Sequence, residues 1–320
     1  MTLRSVRRIL IAQETSDGGG VRLRRSLGSA QLDHLDPFLL LDEFKSAEGS
    51  DYVAGFPDHP HRGFETVTYM LAGAMEHRDH KGNRGYLVPG SVQWMTAGRG
   101  IVHSEMPKQQ DGLMWGFQLW VNLPAAHKMD PPRYQDIPPG EIPERTQDGA
   151  RIRVIAGESD GVPGPVRGIV TSPLYLDVSV PARKRFEHPI PAGHSAMVYV
   201  FEGEGEVGLD ESGKGRLVQT GRLAILDDGA QLAALAGENG MRFLVIAARP
   251  LGEPVARYGP FVMNSREEIA QAGEGGQVNG LRYRACADDP DPEDSCCGVV
   301  AGQAPPPCVQ NLCALIAAQY

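Results

Sequence analysis

Cysteine is absent from the first 285 residues of this 320-residue chain; all five, Cys286, Cys296, Cys297, Cys308 and Cys313, fall in the last 35. The main body therefore has no disulfide and no thiolate ligand, which excludes a cysteine-built zinc or iron–sulfur site there. No C-x-x-C pair occurs among the terminal cysteines. Long apolar runs are also missing. The longest early one, Ile9-Leu10-Ile11-Ala12, is too short for a signal-peptide core, and no stretch approaches the roughly 18 apolar residues of a membrane span. A cytoplasmic protein is expected. Basic residues are in the minority, 31 against 40 acidic, and the net charge of -9 argues against nonspecific binding to nucleic acid or to an anionic membrane. Arg4, Arg7, Arg8, Arg22, Arg24 and Arg25 make only the N-terminus locally basic. Gly98 and Gly100 lack the G-x-G-x-x-G context of a phosphate loop, and no H-E-x-x-H places two histidines on a helix face.

The chain does contain a set of short β-type runs broken by glycine and proline, such as Glu65 to Leu71, Phe117 to Val121, Leu174 to Val178 and Met197 to Phe201. Runs of this length and spacing predict an all-β sandwich or barrel. At 320 residues two domains are expected. An internal repeat supports the division: Tyr69-Met70-Leu71-Ala72-Gly73 matches Tyr199-Val200-Phe201-Glu202-Gly203 at an offset of 130, and Gly90 and Gly98 match Gly221 and Gly229 at 131. The reading is an N-terminal domain with its arm over residues 1–137, a second domain over 138–272, and a divergent, cysteine-containing tail of disorder-like composition over 273–320. Ser265-Arg266-Glu267-Glu268 is a capping-box pattern that opens a helix, which Gly273, Gly275 and Gly276 are expected to interrupt. A frameshifted C-terminus would explain the unusual composition of the tail.

The chemistry lies in His59-Pro60-His61 and His103-Ser104-Glu105. Residues i and i+2 of a strand share a face about 6.5 to 7 Å apart, so two such pairs on neighbouring strands can surround one cation. Three imidazoles and a carboxylate suit Fe, Mn, Co, Ni, Cu or Zn. Carrying the four positions forward by the repeat offset lands on Pro189, Pro191, Ala234 and Ala236, so one metal is expected, in the first domain. Other residues receive lesser readings. His77 and His80 are placed in a solvated loop, and His34, His127, His188 and His194 are given no role. Trp94, Trp115 and Trp120 are read as core or pocket wall, Arg62 as an orienting residue or one half of a buried salt bridge, and Glu65 as support behind the ligands.

The run His59 to Thr66 followed by Gln93 to Pro107, with Asp36 to Asp42, Leu119 to Leu123 and Gly259 to Asn264, closely resembles the pirin family of the cupin superfamily over residues 3 to 270. That resemblance implies a bicupin, two jelly-roll-like β-barrels with a few short helices. It implies one mononuclear metal, Fe(II) by preference, on His59, His61, His103 and Glu105, and a metal-free second barrel. Many bacterial members resemble quercetin 2,3-dioxygenases, which open a flavonol with O2 and release CO. Glu105 would then also accept the substrate's hydroxyl proton. The alternative implied is a redox-sensitive regulator that binds a transcription factor or metabolic enzyme. A monomer is expected in either case.

Overall fold

The computed structural model describes residues 2–274 and the strand residues 277–278 and 281–282. The terminal cysteines and most of the expected tail lie outside these. Among the described residues the chain is all-β, with three 3-10 turns and one α-helix, Arg266–Glu274. That helix begins on the expected capping box, the Glu268 N–H donating to Ser265 Oγ (3.2 Å) and the Ser265 N–H to the Glu268 carboxylate (3.0 Å). Gly273 does not interrupt it.

The first domain is built of two sheets. A seven-stranded one runs in the order Arg133–Ile137, Val92–Thr96, Phe64–Ala72, Met114–Asn122, Phe38–Ser46, Val21–Leu27, Gln13–Asp17. A four-stranded one runs Phe56–His61, Ile101–Pro107, Met75–Asp79, Arg84–Leu87. The second domain forms one nine-stranded sheet around two long strands, Ser195–Val207 and Gln231–Ala248. These bend where the register slips between Gly203 and Gly205. Gly203 has φ +69° there, and a Cβ on it would meet the Gly240 carbonyl at 2.2 Å, so only glycine makes the bend. The sheets remain open at their edges rather than closing into barrels, an arrangement compatible with a cupin jelly roll.

The two domains pack sheet on sheet. Alternation turns Val67, Tyr69, Phe117 and Leu119 of the first toward Tyr175, Tyr199, Phe201 and Leu244 of the second, in one buried cluster. Two hydrogen bonds across this seam are reciprocal: Tyr69 donates its hydroxyl to Asp177 and Tyr199 donates its own to Glu43, each at 2.7 Å. Because Tyr69 and Tyr199 are repeat equivalents, the seam has the self-complementary character of a two-fold interface. Phe117 sits at its centre, 5.0 Å from Phe201 and 6.0 Å from Tyr199 between ring centroids. Phe117→Ala is expected to cost about 3–5 kcal/mol, read as a lowered urea midpoint with an unchanged slope.

The strand that precedes the first domain and the segment that follows the second cross over. The strand Val6–Ile11, which the sequence reading grouped with residues 1–137, pairs with Arg222–Leu226 in the second domain's sheet. Conversely Phe261 bridges to Arg62, and the buried Lys128 ammonium donates to the carbonyls of Gly63 (2.8 Å) and Val262 (3.1 Å) and to Asn122 (2.7 Å). The segment after the second domain is thereby clasped against the first. Burial lowers the Lys128 amine to about 8.

Candidate metal centre

The sequence places His59 and His61 at the end of an extended segment, because Pro60 removes a donor and the proline fits an edge strand. Gly63 then turns the chain at φ +87°, where a Cβ would strike the Val262 carbonyl at 1.9 Å. On the antiparallel partner, His103 stands opposite His59 and Ile101 opposite His61. The two i, i+2 pairs therefore share the inner face of the four-stranded sheet, as strand geometry requires.

Three imidazoles converge. The ring centroids of His59 and His61 are 4.6 Å apart, those of His59 and His103 4.4 Å, and those of His61 and His103 5.0 Å. One nitrogen from each lies within 4.8 Å of the others. His61 and His103 are buried, and His59 is partly buried. His59 Nδ1–H donates to the Pro57 carbonyl (2.7 Å), which leaves its Nε2 bare. That Nε2 is 3.0 Å from Nε2 of His61. Two donors about 2.1 Å from one cation and at right angles to each other stand about 3.0 Å apart, so the spacing fits a shared metal. Nε2 of His103 is buried without a hydrogen-bond partner, as an unfilled ligand atom would be.

Glu105 follows past a bulge in the pairing with Phe56–His61. It is buried, and its two oxygens accept from the Thr68 hydroxyl (2.8 Å) and the Gln118 amide (2.9 Å). Gln118 Oε1 in turn accepts from Trp120 Nε1 (2.9 Å), which fixes which end of the amide faces Glu105. The wall beside His61 is aromatic, with Phe64 at 5.0 Å and Trp120 at 5.1 Å. The guanidinium of Arg257, carried by the clasped C-terminal segment, lies 5.1 Å over the Trp120 ring. No local sequence signal marks Arg257 or Lys128 for this neighbourhood.

Several sequence-based expectations change. His77 is no solvated loop residue: it is 1% exposed in the strand Met75–Asp79, with Nδ1 3.3 Å from Nδ1 of His103. Met75 and His77 alternate inward on a short strand, a signal hidden by the charges of Glu76, Arg78 and Asp79. His80 is half-buried against the Val102 backbone. Glu65 faces away from the histidines, since 65, 67 and 69 share the seam side of their strand while Thr68 faces Glu105. It accepts from Thr96 (2.7 Å), and burial pushes its carboxyl up to about 7. Arg62 reaches the Met129 sulfur and has no carboxylate partner among the described residues. Finally, the second domain's counterpart positions are not Pro189 and Pro191, both exposed; Phe186 stands opposite Ala234 and the buried His188 opposite Leu232. The segment before Pro189 is out of step with the repeat by three residues, which a constant offset cannot show. His188 is satisfied by Ser159 (3.0 Å) and the Pro189 carbonyl (2.7 Å).

Burial holds the imidazoles of His61 and His103 well below their ordinary 6.5, with the neighbouring His59 adding to the effect, and burial lowers His77 too. All three therefore favour the neutral form at neutral pH. The same shifts set an acid limit. Below pH 6.5 the unfolded chain binds protons that the folded one refuses at these three sites, so their contribution to stability falls as pH drops. The carboxyls of Glu65 and Asp42, pushed up by burial to about 7 and about 6, work in the opposite direction, and His188, held down by burial, adds to the effect of the three histidines. The metal-free protein is expected to lose urea midpoint steadily from pH 6.5 to 5; a flat profile would contradict the buried neutral cluster.

The Pirin family profile matches residues 20–121, and that of the Pirin C-terminal cupin domain matches residues 175–275. The chain belongs to the pirin family. As a pirin it is 51% identical to a candidate quercetin 2,3-dioxygenase of Pseudomonas aeruginosa, over 84% of this chain and 95% of that one. It is 43% identical to human pirin, over 82% of this chain and 89% of the relative. The crystal structure of quercetin 2,3-dioxygenase from Acinetobacter baumannii superposes with a TM-score of 0.76 at 34% identity, covering 84% of this chain and 95% of that one. Among the described residues of this pirin no helix is long and apolar enough to cross a membrane.

Proposed function

We propose that this pirin is a cytoplasmic, monomeric, metal-dependent dioxygenase that opens flavonols such as quercetin with O2, using one Fe(II) held by His59, His61, His103 and Glu105. The observation that carries the reading is the convergence of three imidazoles within 4.8 Å at the inner face of a cupin sheet. It is supported by the 51% identical relative from Pseudomonas aeruginosa and by the structural likeness to the Acinetobacter baumannii enzyme. A bound divalent metal supplies Lewis acidity toward the oxygens of a chelating substrate.

The chain's own residues do the rest. His59 is the least buried of the three histidines, so substrate enters from its side. Glu105 accepts the proton of the flavonol hydroxyl, and Thr68 and Gln118 hold its carboxylate in place for that transfer. Phe64 and Trp120 offer an apolar wall to an aromatic substrate and keep water from His61. In the overall reaction both atoms of O2 enter the ring-opened ester and one ring carbon leaves as CO.

Anaerobic reconstitution with Fe(II), followed by quercetin and a measured pulse of O2, is expected to yield one CO for each O2 consumed. Metal-replete protein without turnover over several flavonols would overturn the dioxygenase reading and favour the regulator, whose assay is metal-dependent capture of a protein partner.

A further inference from the structure

We propose that His77 is a positioning residue that decides which nitrogen of His103 faces the metal. The inference rests on the metal-site reading and is independent of the dioxygenase reading. His77 touches no ligand position of its own in the cluster; it stands behind His103, on the next strand of the same sheet, opposite Glu105 in register.

Proton counting decides between the two rings. Nδ1 of His103 and Nδ1 of His77 are 3.3 Å apart, within reach of one shared proton, in a pocket where both rings are 1% exposed. Two bare nitrogens would repel and two N–H groups would clash, so one ring donates and the other accepts. If His77 donated, neutral His103 would carry its proton on Nε2, the atom that is buried, unpartnered and turned away from His77. A protonated nitrogen cannot be a ligand. His103 Nδ1–H therefore donates to His77 Nδ1, and the His103 Nε2 lone pair is exposed to the cation. His77 then carries its own proton on Nε2, a buried atom without a hydrogen-bond acceptor, in the neighbourhood of the Tyr134 ring, whose centroid is 4.8 Å from that of His77. The arrangement parallels that of His59, whose Nδ1–H is spent on the Pro57 carbonyl so that Nε2 is left bare. A backbone acceptor orients one ligand, and a second histidine orients another.

Two nearly isosteric variants separate this role from packing. Asparagine at position 77 keeps an acceptor oxygen where Nδ1 was, whereas leucine keeps the shape and has none. In full-length metal-free protein labelled with 15N-histidine, the ring nitrogen shifts of His103 are expected to show the Nδ1-protonated tautomer in the wild type and in His77→Asn, and a mixture in His77→Leu. Zn(II) affinity, measured by competition with a chromophoric chelator, is expected to stay within about threefold in His77→Asn and to weaken about 10- to 100-fold in His77→Leu, the range found when an outer partner of a ligand histidine is lost. An Nε2-protonated His103 in the wild type, or equal losses in the two variants, would overturn the proposal. If His77→Leu does not fold, the wild-type tautomer and the His77→Asn affinity still decide. Wild-type protein that binds no Zn(II) while His103 keeps its Nδ1 proton would remove the metal-site reading and leave the tautomer assignment standing.

Discussion

His103→Ala is expected to strip the metal from the protein as purified, while His188→Ala leaves the metal content unchanged. The contrast is informative because the two histidines are equally buried, at 1% and 2% exposure, and each lies on the inner face of its domain. Only one has a bare nitrogen among other imidazoles. His188 spends both nitrogens on Ser159 and the Pro189 carbonyl, so its removal costs hydrogen bonds and packing alone. Removing His103 takes a donor from the cation itself. Binding free energies of about 10–16 kcal/mol for four-ligand sites come to roughly 3–4 kcal/mol per ligand, or a 10²- to 10³-fold weaker site. Elemental analysis of protein prepared without added metal, together with chelator competition, reads the effect. Undiminished metal in His103→Ala or His59→Ala would refute the site outright.

Glu105→Gln is expected to lower flavonol turnover by about 10²- to 10⁴-fold, the usual contribution of a positioned base. It has a structural consequence as well. The polar chain across the interior has a direction: Trp120 donates to Gln118, and Gln118 and Thr68 donate to Glu105. A glutamine at 105 can turn its oxygen toward Thr68 or toward Gln118 but not both, and Gln118 cannot flip without losing Trp120. One buried donor is left unpaired at about 1–3 kcal/mol. Adding Gln118→Glu restores an acceptor for both neighbours without returning the base to position 105. The double variant is thus expected to recover the lost stability and none of the lost turnover. Recovery of both together would assign Glu105 a packing role and leave the proton transfer to another group. Bound metal, oxygen uptake, CO release and urea midpoints on the two variants separate these outcomes, with turnover counted per bound metal so that loss of a ligand is told from loss of the base.

The part of the site legible in the sequence is the part governed by period. His59 and His61, and His103 and Glu105, sit at i, i+2 on extended segments, so each pair had to share a face whatever surrounded it. The cross-strand pairing of His103 with His59 then followed from an ordinary antiparallel register. Glu65 shows the same rule misapplied: the parity that joins it to Val67 and Tyr69 also turns it away from Thr68 and the ligands. His77 was hidden because three charged neighbours give its segment the composition of a loop. Its burial comes from pairing with Ile101–Pro107, a contact 26 residues from His103 in sequence.

The sequence by itself determined the all-β class, the two-fold repeat and the three histidines that meet at the candidate metal centre, because these depend on alternation, turn residues and spacing along a few consecutive positions. Tertiary structure alone decided the rest. It set the exchange of flanking segments that carries Val6–Ile11 onto the second sheet and brings Arg257 over Trp120. It also set the reciprocal Tyr69–Asp177 and Tyr199–Glu43 bonds, the direction of the Trp120–Gln118–Glu105 chain, and the placing of His77 behind His103. Each of these is a contact between residues far apart in the chain, and its geometry depends on how two sheets stack rather than on any local preference.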